Sequence, residues 1–278
     1  MDNKITVDDI RLLKGKRKFT LLTAYDYPFA QALDRAGIDI ILVGDSVANV
    51  VLGLESTKEV GMQEMIHHAK AVGRAVKQAL LVGDMPYEAY QKDIKVAVKN
   101  AKRFIDEAKC DAVKLEWFDK AIQAITMVIK ARIPVMGHIG LTPQTADELG
   151  GFKVQGKDAL AAKNLILQAK LLEEAGVFSL LMECIPDKLA EIITKKVKIP
   201  TIGIGAGPYC DAQALVTYDM IGLFDRYTPK FVKKYANLSN EAIKAFQEFQ
   251  HDVLEGRFPS KEHSFSISEE ELKKLASD

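Results

Sequence analysis

Residues 38–46 (IDIILVGDS) run apolar through isoleucine, leucine and valine, then stop at a glycine, a carboxylate and a serine. Such a run suits a strand buried on both faces, as in a parallel sheet covered by helices. Residues 78–84 (QALLVGD) repeat the pattern, so two apolar strands each carry Val-Gly-Asp at their carboxyl ends. In parallel sheets and barrels that end is where ligands are bound and chemistry is done. Asp45 and Asp84 are therefore candidates for one shared site.

The same rhythm runs along the chain. Strands are expected also at 19–24 (FTLLTA), 112–116 (AVKLE), 133–138 (IPVMGH), 177–183 (VFSLLME) and 199–204 (IPTIGI), with the eighth at 214–218. Between them the periodicity predicts helices at 28–35, from Ser56 or Thr57 to Lys77, and at 94–108, 120–130, 158–175 and 187–195. A short amphipathic helix over 6–13 precedes the first strand. Eight alternations with short connections argue for a closed parallel (β/α)8 TIM barrel, a fold of about 250 residues, rather than an open sheet. Residues 1–265 are expected to form this single domain, and 266–278 a charged tail.

Lys plus Arg equals Asp plus Glu at 38 each, so no net field draws the chain to nucleic acid or a membrane. Residues 14–18 (KGKRK) read as a solvated basic turn. The three cysteines, Cys110, Cys184 and Cys210, lack CxxC spacing and point to reduced thiols in the cytoplasm. The first residues are polar and acidic rather than signal-like, and no apolar run reaches the ~20 residues of a membrane span.

The expected strand ends carry Tyr25 and Asp26, Asp45 and Ser46, Asp84, Lys114 and Glu116, His138, Glu183, then Gly205 and Gly207. A period of two places Lys114 and Glu116 on one face of their strand, opposite Val113 and Leu115. An apolar barrel interior tolerates such charges only as an ion pair or against a ligand or metal. Asp45, Asp84 and Glu116 are hard oxygen donors without the cysteine or paired histidine that favours zinc, which suits Mg²⁺. Such a cation could polarise the carbonyl of a 2-oxo acid, with Lys114 and His138 holding its carboxylate and Glu183 taking a proton from the adjacent carbon. GIGAGP at 203–208 fails as a dinucleotide fingerprint and reads as close packing at a barrel mouth. His67 and His68 diverge on a helix, and His251 and His263 read as surface residues.

The ordered series LLTAYDYPFA, LVGDSVANVVLG, VGDMPY, VKLE, GHIGLTPQ, GGFKVQG, MECIP, IPTIGIGAG and FPSKEHSF resembles the ketopantoate hydroxymethyltransferase family over nearly the whole chain. The resemblance implies a (β/α)8 barrel of the phosphoenolpyruvate/pyruvate superfamily, bound Mg²⁺, and 5,10-methylenetetrahydrofolate as one-carbon donor. It also implies a cytoplasmic homo-oligomer, typically a homodecamer, working in pantothenate biosynthesis. The family's metal carboxylates fall on Asp45 and Asp84, with Glu116 as a third acidic group. Its substrate contacts fall on Asp45, Ser46, Asp84, Lys114 and His138, and its base on Glu183. The implied reaction removes the C3 proton of 3-methyl-2-oxobutanoate and adds the enolate to the folate-borne methylene, giving 2-dehydropantoate and tetrahydrofolate. Gly61, Glu88 and Ala212 depart from the family's usual residues, all in loops or at helix starts. Two other readings stay open. One keeps the enolate but uses another electrophile or cleaves a C–C bond, against which GLTPQ and EHSF stand; the other is a non-catalytic oxo-acid-binding barrel, against which Glu183 stands.

Overall fold

The structure, a computed structural model, describes residues 4–275. Strands β1 (Phe19–Thr23), β2 (Ile40–Val43), β3 (Leu80–Asp84), β4 (Ala112–Glu116), β5 (Val135–Gly140), β6 (Ser179–Glu183), β7 (Thr201–Ile204) and β8 (Ala212–Leu215) pair in parallel and in sequence order. β8 returns to β1 and closes the barrel. Helices α1 (Val7–Leu12), α2 (Tyr27–Arg35), α3 (Val47–Val50), α4 (Met62–Ala75), α5 (Ala97–Ala108) and α6 (Ala121–Lys130) accompany the first half. In the second half come α7 (Ala159–Ala175), α8 (Asp187–Lys196), α9 (Thr217–Met220), α10 (Leu238–Leu254) and α11 (Glu269–Leu275).

Alternation divides each strand between two cores. Ile40, Leu42, Leu80, Val82, Ala112 and Met136 fill the barrel interior. Ile41, Val43, Leu81, Val113, Leu115 and Val135 face outward into the core shared with the helices. Ile10 of α1 joins the interior beside Phe19 and Phe178, plugging the end opposite the site. Carboxylates at that end are satisfied by backbone: Asp34 accepts from the N–H groups of Lys77, Gln78 and Ala79. The KGKRK segment is a structural clasp rather than a solvated turn. Lys14 pairs with Asp211, Arg17 with Asp39, and Lys18 donates to the Cys210 carbonyl.

Three expectations need correcting. The long helix from Ser56 or Thr57 is broken: Thr57–Glu59 forms one 3-10 turn, Val60 is extended, and α4 begins only at Met62. The eighth strand is Ala212–Leu215, four residues without a strong apolar run, and Tyr218 belongs to α9 instead. Asp26 lies beyond the end of β1 at Thr23: it caps α2 by accepting from the Phe29 N–H and also accepts from the Tyr218 hydroxyl. The charged tail forms α11 within the described residues; 276–278 lie outside them.

Two of the departures from the family pattern answer each other. Gly61 has no side chain to cap α4, and the Glu88 carboxylate accepts from the Met62 N–H at 3.2 Å in its place. A Cβ at residue 61 would stand 2.7 Å from that same oxygen. Gly73 of α4 is fixed for another reason, since a Cβ there would lie 2.1 Å from the Ala108 carbonyl oxygen of α5. Gly73→Ala should therefore destabilise the protein by about 1–3 kcal/mol through overpacking, despite alanine's advantage of roughly 0.5–1 kcal/mol within a helix. Urea unfolding measures this, and an unchanged or higher midpoint would show that the helices can separate at no cost.

Candidate active site

Strand register assembles the site. Asp84 is paired with Lys114, Glu116 with His138, and Gly140 with Glu183, so residues far apart in sequence stand side by side at the carboxyl ends of β3 to β6. The Lys114 ammonium lies 2.9 Å from Asp84 Oδ1, 3.7 Å from Glu116 Oε1 and 3.3 Å from His138 Nδ1. His138 turns Nε2 towards Glu183 Oε2 at 3.4 Å. Asp45 follows β2 and donates its backbone N–H to Asp84 Oδ2 at 3.1 Å. Ser46 beside it shares a 2.8 Å hydrogen bond with the buried Tyr25 hydroxyl. All seven expected site residues thus meet at one place, lining a cavity of about 570 Å³ that is open to solvent.

Burial governs the charges. It pushes Asp45 and Asp84 above the usual carboxylate range, Asp84 well above it, with Lys114 opposing in both cases. Glu116 is pushed up to about 7 by burial, again against Lys114. Burial also pulls the Lys114 ammonium down, but Asp84, Glu116 and Asp45 outweigh it and hold it above its ordinary value. Burial and then Lys114 lower His138, so its imidazole is neutral. Nδ1 then accepts from Lys114 and Nε2 carries the proton facing Glu183.

The site also contains residues that the sequence reading passed over. Gln144, fully buried in the loop after β5, donates its side-chain amide to Asp45 Oδ2 at 2.8 Å and its backbone N–H to Glu116 Oε2 at 3.1 Å. The Tyr90 hydroxyl donates to Gln144 Oε1 and accepts from the Glu116 N–H. The signal was present in GLTPQ, but an uncharged glutamine in a loop carries no pattern that marks it as a support for carboxylates. Thr57 is a third omission, a buried hydroxyl without a hydrogen bond on the cavity wall.

The arrangement fits a hard divalent cation. Three buried carboxylates face a single ammonium and a neutral imidazole, and buried charge needs compensation. Asp84 Oδ1 and Glu116 Oε1 are buried and share the one Lys114 ammonium, at 2.9 and 3.7 Å, without a well-aligned hydrogen bond of their own among the described residues. Among the described residues, no group of three or more His, Cys, Asp or Glu side chains is placed so that it could hold a metal ion by itself. Mg²⁺ does not require such a group, since it is usually bound by one or two carboxylates with waters and substrate oxygens completing the octahedron. His68, by contrast, is occupied by the Tyr25 carbonyl at 2.7 Å.

The raised carboxyl groups give a pH prediction for metal-free protein. Glu116 binds its proton more tightly folded than unfolded, so between its ordinary value near 4.5 and about 7 the folded state holds more protons. Stability must then fall as pH rises through that window. The thermal midpoint of EDTA-treated protein is expected to drop between about pH 5 and pH 8, and added Mg²⁺ to reverse the trend at the upper end. A midpoint that rises steadily over this range in EDTA would contradict these protonation states.

A closed parallel barrel with convergent polar side chains at the carboxyl ends of its strands is the architecture of a (β/α)8 enzyme. Among solved structures, phosphonopyruvate hydrolase is similar at a TM-score of 0.60 and 15% identity, covering 98% of this chain and 95% of its own. 2,3-Dimethylmalate lyase, described as a PEP mutase/isocitrate lyase superfamily member, is similar at a TM-score of 0.59 and 12% identity, covering 98% of each chain. These likenesses establish the fold. The family model for ketopantoate hydroxymethyltransferase matches residues 4–261. The chain is 53% identical to the 3-methyl-2-oxobutanoate hydroxymethyltransferase of Syntrophomonas wolfei, over 94% of this chain and 95% of that one. It is 54% identical to the enzyme of the same name from Enterococcus faecalis, over 93% of this chain and 94% of that one. The chain belongs to the ketopantoate hydroxymethyltransferase family, and it is an enzyme.

Proposed function

We propose that this enzyme transfers a hydroxymethyl group from 5,10-methylenetetrahydrofolate to 3-methyl-2-oxobutanoate, giving 2-dehydropantoate for pantothenate biosynthesis. The observation that carries the reading is the pairing of Glu183 with a cluster of buried carboxylates around Lys114 at one end of the cavity. Asp45 and Asp84 would hold Mg²⁺, with Glu116 beside it, and the cation would supply Lewis-acid polarisation of the substrate's keto oxygen. Phosphonopyruvate hydrolase, like this chain in fold alone, has been solved with oxalate and Mg++.

Glu183 is the group that removes the C3 proton. It sits at the end of β6 with its side chain 16% exposed, and so reaches into the cavity from a largely buried position. The neutral His138 faces it with Nε2 at 3.4 Å, while the Lys114 ammonium and the Ser46 hydroxyl offer donors to the substrate carboxylate. Gln144 and Tyr90 fix Asp45 and Glu116 from behind. The cavity is far larger than a small 2-oxo acid, and its outer wall carries Phe152, Phe224, Tyr227 and Phe231, which suits a flat second substrate such as a reduced folate.

The enzyme is proposed to act as a homo-oligomer in the cytoplasm, a decamer as the family resemblance implies. Helix α10 supports assembly: none of its residues is buried, and Ile243, Phe246, Phe249 and Leu254 are exposed along it. Light scattering should give a mass several times that of one chain; a monomer would reject this. Free cysteines are consistent with the location, and no helix among the described residues is long and apolar enough to cross a membrane.

The reaction itself is tested by incubating the enzyme with Mg²⁺, 3-methyl-2-oxobutanoate and 5,10-methylenetetrahydrofolate and following 2-dehydropantoate. Formation of the product supports the proposal. Deuterium exchange at C3 without hydroxymethyl transfer would instead favour an enzyme that uses a different electrophile.

A further inference from the structure

Three charged groups on the cavity wall have no part in the chemistry above: Glu55, Asp219 and Arg226, the last of which donates to the Gly53 carbonyl. Asp219, on α9 just after β8, lines the cavity with 8% of its surface exposed. Among the described residues its carboxylate accepts no hydrogen bond and forms no ion pair; the single charge acting on it is that of Lys234. Its neighbours are held rigidly. Thr217 donates its hydroxyl to the Thr23 carbonyl, Tyr218 donates to Asp26, and the Tyr218 ring packs edge-on against Tyr25 at 5.3 Å. A carboxylate this little exposed has lost much of its hydration, and a donor arriving through the cavity would restore what burial removes. Burial raises its carboxyl to about 6, so the group is ionised at neutral pH.

The walls around it limit what can meet this carboxylate. Phe224 and Phe231 line the same cavity, and Gly205, at φ +64°, makes room for the Phe231 ring, since a Cβ there would lie 2.7 Å from it. A cavity that combines aromatic lining with an unpaired carboxylate suits a flat ring bearing two adjacent N–H donors, because a carboxylate takes such a pair in bidentate fashion. The 2-amino-4-oxopyrimidine edge of a pterin presents that pair, as its N3–H and its 2-amino group. We infer that Asp219 is the pterin-recognition residue of this cavity, accepting both hydrogen bonds from the reduced folate. The inference rests on the folate reading proposed above and adds to it the residue and the ring edge that meet.

Full-length wild type, Asp219→Asn and Asp219→Ala, each with Mg²⁺, should be titrated calorimetrically with tetrahydrofolate and with p-aminobenzoylglutamate, which lacks the pterin. The side-chain amide in Asp219→Asn would aim a donor at the ring's own donors. Tetrahydrofolate affinity is expected to fall about tenfold or more in both variants, with p-aminobenzoylglutamate affinity and the C3 exchange rate of 3-methyl-2-oxobutanoate close to wild type. Unchanged tetrahydrofolate binding would overturn the assignment. So would equal weakening of both ligands, which would mean a general change of the cavity, or a parallel loss of exchange, which would place Asp219 at the oxo-acid end. The two proposals fail separately: a wild type that binds tetrahydrofolate but catalyses no exchange loses the proposed chemistry, while weaker binding by the variants still supports Asp219.

Discussion

Glu183→Gln is expected to slow both C3 exchange and hydroxymethyl transfer by about a hundredfold to ten-thousandfold, the usual contribution of a positioned general base. Glutamine matches glutamate in shape and keeps an oxygen facing His138 Nε2, so packing is preserved while the proton acceptor is lost. The surroundings are well anchored, because the Glu183 backbone carbonyl accepts from the Leu141 N–H at 2.9 Å and β6 is paired on both sides. Mg²⁺ affinity should stay within about twofold of wild type, since Glu183 reaches the carboxylates only through His138. Equal loss of metal binding and exchange would reassign Glu183 to a structural role.

Asp84→Asn should have the other large effect, lowering Mg²⁺ affinity by about a hundredfold or more and transfer activity with it. Asp84 is the carboxylate on which the site converges: Oδ2 accepts from the Asp45 N–H, and Oδ1 faces Lys114. The amide can keep the first of these contacts through its carbonyl oxygen. It supplies no charge, leaving the ammonium with Glu116 at 3.7 Å as the nearer remaining carboxylate. The readout separates metal binding from folding, because a ligand that binds only the folded state raises the thermal midpoint by an amount that grows with the logarithm of its concentration over its dissociation constant. Mg²⁺ should raise the midpoint of wild type and leave that of the variant nearly unchanged. An equal rise in both would remove Asp84 from the metal site.

The barrel and the inner site were legible in the sequence because both follow from strand periodicity. β4 begins and ends where AVKLE places it, and the pairing of Lys114 with Asp84 and of Glu116 with His138 follows once the strands are parallel and in order. The resemblance to known motifs added the roles, and the family match over residues 4–261 agrees with it. What escaped was set by tertiary contact. β8 lacks a strong apolar run because only alternate residues meet a core, giving the burial pattern of a half-covered strand. The break before α4 depends on Glu88, 26 residues away, and Gln144 gains its role only when its loop folds back over Asp45 and Glu116. Asp219 was invisible for the same reason, since a carboxylate in TYDM looks solvated until the barrel closes around it.

In the proposed reaction Glu183 and the carboxylate cluster together make C3 of the oxo acid acidic. This is tested most directly by incubating wild-type enzyme with 3-methyl-2-oxobutanoate in deuterium oxide, with Mg²⁺ and no folate, and following the C3 proton by NMR. The account predicts enzyme-dependent loss of that signal, and a large slowing of the loss when EDTA removes the metal. A C3 proton that survives in the presence of active, Mg²⁺-loaded enzyme would contradict it.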